Sequence, residues 1–181
     1  MLKRAFAVAA LVSACACASK PYSARVFAGT LEFLYTQQAP LGPQEIRGDS
    51  HARYWDPLVA FAARRNVDVI TLTFPNPTQK GGFSALHRLI GISEQLSPNE
   101  QVATLVHELG HVLSPGGLSR MNEDVFAEGV AVIVMKRLGL DIRMESAGYF
   151  LDGASICACA PMRTLAPKID AAAALILKEI Q

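Results

Sequence analysis

The sequence predicts one α+β domain, and three observations point there. Apolar residues recur at helical spacing in five stretches. Two short runs between them are apolar, the first of them β-branched, and no internal repeat or low-complexity linker divides the chain. At 181 residues, with 51% hydrophobic and 18% charged side chains, the chain can bury one sizeable core and is short for two. Seventeen basic against sixteen acidic side chains leave a formal charge of +1, with no basic block and no basic stripe interleaved with aromatics. Nucleic acid is therefore not an expected partner. A monomer is expected.

The first residues are set apart from the fold as a leader. Lys3 and Arg4 form a basic start, and Ala5 to Val12 is an apolar run far too short to span a bilayer. Val12-Ser13-Ala14-Cys15 then resembles a bacterial lipobox, and Ala16-Cys17-Ala18 offers a competing cleavage site. Residues 1–18 are thus expected to be removed or lipidated, leaving a single domain over 22–181. The protein is expected to be exported: periplasmic, an outer-membrane lipoprotein held at the membrane surface through Cys15, or at the cell surface or secreted. In an oxidising compartment Cys157 and Cys159 would be structural or incidental, since a second ligand pair for a metal is lacking.

Each element has a local cause. Ser23 to Gln38 carries an apolar stripe of Val26, Phe27, Leu31 and Leu34, and Ala39 to Gly48 is a proline- and glycine-rich loop. Ser50 to Asn66 reads as a helix, with Pro57 bending it or marking its start, and Trp55 and its aromatic neighbours belong to the core. Val67 to Phe74 is the clearest strand. Pro75-Asn76-Pro77 and Gly81-Gly82 enclose a turn-rich connection to a second strand at Leu86 to Ile92, and a hairpin with a long connection is the economical pairing. Ser97-Pro98-Asn99-Glu100 is a helix start: serine caps, proline takes the first turn, and glutamate can close a capping box. That helix runs to Leu113. Another spans Asn122 to Leu138 with Gly139 as its C-terminal cap, and Lys168 to Ile180 is amphipathic.

The chemistry lies in His107-Glu108-Leu109-Gly110-His111. Histidines four apart share one helical face and can reach one ion, while Glu108 is turned away enough to approach a bound water without becoming a ligand. Zinc acidifies such a water to a pKa of about 7 and polarises a carbonyl. A catalytic zinc needs a third protein ligand, and all four histidines lie at or before position 111, so a carboxylate from the next helix is expected. Glu128 is the first choice and Asp124, one turn earlier, the alternative. Whichever does not bind metal can orient a ligand histidine. Glu123 reads as a first-turn charge pointing elsewhere. Gly129, at about 1 kcal/mol relative to alanine in a helix interior, suggests that the active-site helix packs against it.

Phe126-Ala127-Glu128-Gly129-Val130-Ala131 resembles the glutamate-glycine-x-alanine segment of gluzincin aminopeptidases, which implies Glu128 as ligand. The stretch from Ile90 to Asp141 is similar to the ImmA/IrrE-like metallopeptidases. It carries Leu96-Ser97-Pro98-Asn99-Glu100-Gln101, then Thr104-Leu105-Val106 running into the metal motif, and Leu138-Gly139-Leu140-Asp141. That resemblance implies Asp124. Both imply a small zincin-like fold and a zinc peptidase acting on a peptide or protein, with Glu108 as general base. Tyr149 is the leading oxyanion stabiliser, ahead of Arg143 and His51. Zincin-like folds bind peptide along an edge strand, where His87 and Arg88 could line the cleft. The rival reading is a non-catalytic, zinc-binding envelope lipoprotein.

Overall fold

The computed structural model describes residues 46–140, 142 and 159–180, with side chains from 164 onward in the last stretch. The expected leader, the helix over 23–38, Arg143, Tyr149 and Cys157 lie outside the described residues. A 3-10 turn, Ala52–Tyr54, leads into α1 (Trp55–Ala63). Pro57 sits in the first turn of α1, where the N–H it lacks would have no intrahelical acceptor. Leu58, Phe61 and Ala62 form the buried side of this helix, and Trp55 and Tyr54 pack at the margin of the core.

The sheet is mixed and three-stranded. β1 (Asp68–Leu72), β2 (Gly81–Ser84) and β3 (Leu89–Ser93) lie in the order β1-β3-β2. The long hairpin between the two expected strands is not formed. β3 pairs parallel with β1, Asp68 opposite Leu89, and antiparallel with β2, Gly81 opposite Ile92. The chain leaves β1, crosses past the end of β3, forms β2 and turns back. Gly81-Gly82, expected to close the turn-rich connection, opens strand 81–84 instead, because the glycines serve close packing rather than a bend. A Cβ on Gly81 would lie 2.7 Å from Thr104 Cγ2 and 3.2 Å from the Gly91 carbonyl oxygen.

α2 (Pro98–Leu113) begins as its sequence predicts. Ser97 Oγ accepts from the Glu100 N–H at 3.2 Å, with Pro98 in the first turn. The Glu100 carboxylate meets Lys80 Nζ at 3.1 Å, so it ties the helix start to the approach of β2 instead of turning back on the cap. α3 (Arg120–Leu138) starts two residues earlier than expected, because Ser119 Oγ caps it by accepting from the Asn122 N–H. It ends at Gly139, whose φ of 91° is left-handed, while the Leu140 N–H reaches the Met135 carbonyl at 2.9 Å.

α4 (Cys159–Ile180) starts nine residues before the expected Lys168 and contains Pro167. Burial of Leu165, Ala166, Ile169, Ala173, Ile176 and Ile180 keeps it helical through the proline. α2 is the central layer, with the sheet on one side and α3 on the other; α4 lies behind α3 and reaches α1. There Arg64 and Arg65 both pair with Glu179, at 2.7 and 3.1 Å. Among the described residues no helix is long and apolar enough to cross a membrane.

Candidate metal centre

Burial fixes the rotation of α2, and the rotation places the motif. Val102, Leu105, Val106 and Leu109 are fully buried, which brings His107 and His111 together along the side that looks toward α3. Their Nε2 atoms stand 3.2 Å apart, with ring centroids 4.9 Å apart and planes at 72°. Two nitrogens held 2.0–2.1 Å from one tetrahedral zinc would be about 3.3 Å apart. The imidazole pair therefore fits one edge of such a site.

Gly110 brings the second helix close. A Cβ there would fall 2.6 Å from Ala127 Cα and 3.0 Å from the Ala127 carbonyl oxygen, so the backbones of α2 and α3 touch at this point. Gly129, expected to receive α2, faces α4 instead: its open side is filled by Ile169, at 3.0 Å from where a Cβ would be. Ala127 is thus the residue on α3 that meets the active-site helix. One turn before it, Asp124 presents Oδ1 to His111 Nε2 at 3.7 Å. Glu123 does not point elsewhere; its Oε1 lies 3.9 Å from Nδ1 of the same ring. Glu128 is buried, at 9% exposure, and has a polar interaction of its own. Among the described residues no three His, Cys, Asp or Glu side chains converge closely enough to hold an ion as they stand. The two imidazoles do so as a pair, and the Asp124 carboxylate stands a few tenths of an ångström beyond such an edge.

Glu108 is buried between α2 and β2. Burial raises its carboxyl to about 7, the Asp124 charge adds to the rise, and a hydrogen bond from the Phe83 backbone N–H opposes it. Its Oε1 lies 3.1 Å from where a Gly81 Cβ would be, so a side chain at this point of β2 would press on this group. His107 is lowered to about 4, by burial first and by the neighbouring His111 second. Burial also lowers His111, against the pull of Asp124 and Glu123. Two imidazoles kept neutral beside a carboxyl poised near neutrality form a donor set suited to a divalent cation and to proton transfer.

Residues 62–148 match the IrrE N-terminal-like domain, Peptidase_M78. The matched family is of metallopeptidase type, and the match contains the whole Ile90–Asp141 stretch on which the ImmA/IrrE resemblance was drawn. No curated protein and no solved structure is matched.

Within the matched stretch, His87 and Arg88 do not lie on a strand as expected. Both lie in the turn between β2 and β3, where His87 is exposed. Arg88, at φ 51°, sends its guanidinium to the Arg65 and Asn66 carbonyls. His51 is remote from the imidazole pair. Nδ1 lies 2.9 Å from Ser50 Oγ and Nε2 donates to the Leu138 carbonyl at 3.1 Å, which holds the ring at the far end of α3. Fourteen residues at 1.5 Å each put that end about 20 Å from Asp124. The sequence reading missed two groups: the Phe83 amide and the Glu123 carboxylate. An acid pair, Glu123-Asp124, within five residues of a serine cap was the signal for the second.

Proposed function

We propose that this protein is a zinc-dependent peptidase in which His107, His111 and a carboxylate of α3 hold the metal and Glu108 is the general base. The observation that carries the reading is the 3.2 Å approach of the two Nε2 atoms beside a buried, proton-poised Glu108. Asp124 is the favoured third ligand, because its Oδ1 faces the Nε2 edge of His111 at 3.7 Å. Glu128, first choice on sequence, then serves the site from its buried position on the same helix.

Bound zinc would supply an acidified water and polarise the scissile carbonyl. Glu108 would accept the proton of the attacking water and return it to the leaving amide nitrogen, its carboxylate being held for both transfers by burial and the Phe83 amide. The Phe83 amide keeps that carboxylate oriented, and the helical backbone of α2 holds it one residue from His107. The outer edge of β2, strand 81–84, crosses Glu108 and, among the described residues, has no sheet neighbour beyond it. An extended peptide added there would run past the base. Tyr149 stays the proposed oxyanion group, and export with anchoring through Cys15 rests on residues 1–18 alone.

Glu108→Gln tests the reading. The variant is expected to keep one zinc per chain while hydrolysis of a fluorogenic casein falls by several orders of magnitude. Zinc retained with no casein or peptide-library turnover even in the parent protein would instead favour the non-catalytic lipoprotein. Loss of zinc in Asp124→Ala but not in Glu128→Ala is the expected outcome for the third ligand; the reverse would restore Glu128.

A further inference from the structure

Two acidic residues adjacent in sequence straddle one imidazole. Asp124 Oδ1 faces His111 Nε2 at 3.7 Å, and Glu123 Oε1 faces Nδ1 of the same ring at 3.9 Å. The pair sits at the start of α3, Glu123 closing its first turn, and the Ser119 cap fixes that start: Ser119 Oγ accepts from the Asn122 N–H at 3.3 Å, and the Glu123 N–H donates to the Ser119 carbonyl at 2.9 Å. The contact between Gly110 and Ala127 then holds that turn against the end of α2.

We propose that Glu123 is a positioning residue: its carboxylate accepts the Nδ1–H of His111 and so keeps Nε2 as the metal-binding nitrogen. The inference rests on the zinc reading above and adds a role outside the ligand set. An imidazole can give only one nitrogen lone pair to a metal while the other nitrogen carries the proton. On His111 the Nε2 side is where His107 and Asp124 converge, so the useful tautomer is the one protonated on Nδ1. A carboxylate on the Nδ1 side selects that tautomer, fixes the ring plane and raises the basicity of Nε2. Glu123 is the carboxylate on that side, and an approach of under 1 Å from 3.9 Å brings it to hydrogen-bond distance. Its side chain is 41% exposed, so this movement needs no repacking of the core.

The full chain carries the test. Zinc affinity would be measured by competition with a chromogenic chelator for the parent, Glu123→Ala and Glu123→Gln, with His107→Ala as control. The His111 Nδ1–H resonance would be followed in the zinc-loaded proteins. Glu123→Ala is expected to weaken zinc binding by about 10–100-fold and to lose the slowly exchanging Nδ1–H signal. Glu123→Gln, whose amide oxygen can accept the same proton, is expected to recover most of both. Equal losses in the two variants would mean that only the charge of Glu123 matters, and would overturn the positioning role. Parent-like affinity in Glu123→Ala, with zinc lost in His107→Ala, would overturn it while leaving the metal reading intact. A parent chain that binds no zinc would remove both.

Discussion

Replacing Gly110 with alanine tests how the two halves of the site are held together. The new Cβ would sit 2.6 Å from Ala127 Cα, whereas ordinary contact begins at 3.4 Å, so the helices must separate locally by the difference, about 0.8 Å. The atoms met are backbone, which cannot swing aside as a side-chain tip can. Overpacking of this kind costs about 1–3 kcal/mol, and the better helix propensity of alanine offsets about 1 kcal/mol of it. A net loss of up to about 2 kcal/mol should lower the melting temperature by roughly 4 °C per kcal/mol.

The larger effect falls on zinc. Asp124 lies one turn from Ala127 and would retreat with it, from 3.7 Å to about 4.5 Å from His111 Nε2, beyond a shared coordination sphere. Thermal melts with and without zinc read both effects. At a free zinc level of 100 times its dissociation constant, the parent should gain about 2.7 kcal/mol, and the variant should lose most of that increment. A Gly110→Ala protein that melts higher than the parent and keeps the full zinc increment would refute the argument.

Two further perturbations probe Glu108. In metal-free protein, His107 at about 4 makes the fold lose stability as pH falls from 6.5 toward 4, because the unfolded chain takes the proton first. Glu108 at about 7 acts oppositely: stability falls as pH rises from 4.5 toward 7, because the folded carboxyl keeps a proton the unfolded one has released. Each is worth on the order of 3 kcal/mol and the two largely cancel, so the lowered His111 leaves the parent with a shallow rise of stability with pH in urea melts. Glu108→Gln should leave a stability that rises from pH 4 to 6.5, and a flat variant would contradict the assignment. Gly81→Ala should press on Thr104 and Glu108, from 2.7 and 3.1 Å, and lower casein hydrolysis about 10–100-fold, with Thr104→Ala restoring part of it. Unchanged hydrolysis in Gly81→Ala would mean that β2 does not seat the base.

Local chemistry was legible and long-range geometry was not. The Ser97 cap, Pro98 and the Gly139 cap are read from neighbours within four residues, and α2 and α3 formed where those signals stand. The same holds for His107 and His111, whose meeting needs only one helical turn. The parallel pairing of β1 with β3 joins residues about twenty positions apart and has no local signature, so a hairpin looked simpler. Gly81 and Gly82 mark a close approach as readily as a turn, and only Thr104 on another element decides between them. Which acid of α3 faces His111 depends on the rotation of one helix against another. Gly110 and Ala127 set that rotation, and Gly129, read as the contact, belongs to Ile169.

The docking of Ile169 into the notch at Gly129 bears on where this protein could be cut. The recognisable stretch ends at 148, yet Leu165, Ile169, Ala173 and Ile176, all beyond it, are sealed from water against α3 and α1. A fragment trimmed to 62–148 would keep every proposed ligand and bare the rear surface of the helix that carries the acids. Such a fragment is therefore expected to be less stable than the longer chain, because a hydrophobic back wall lies outside the part that similarity delimits.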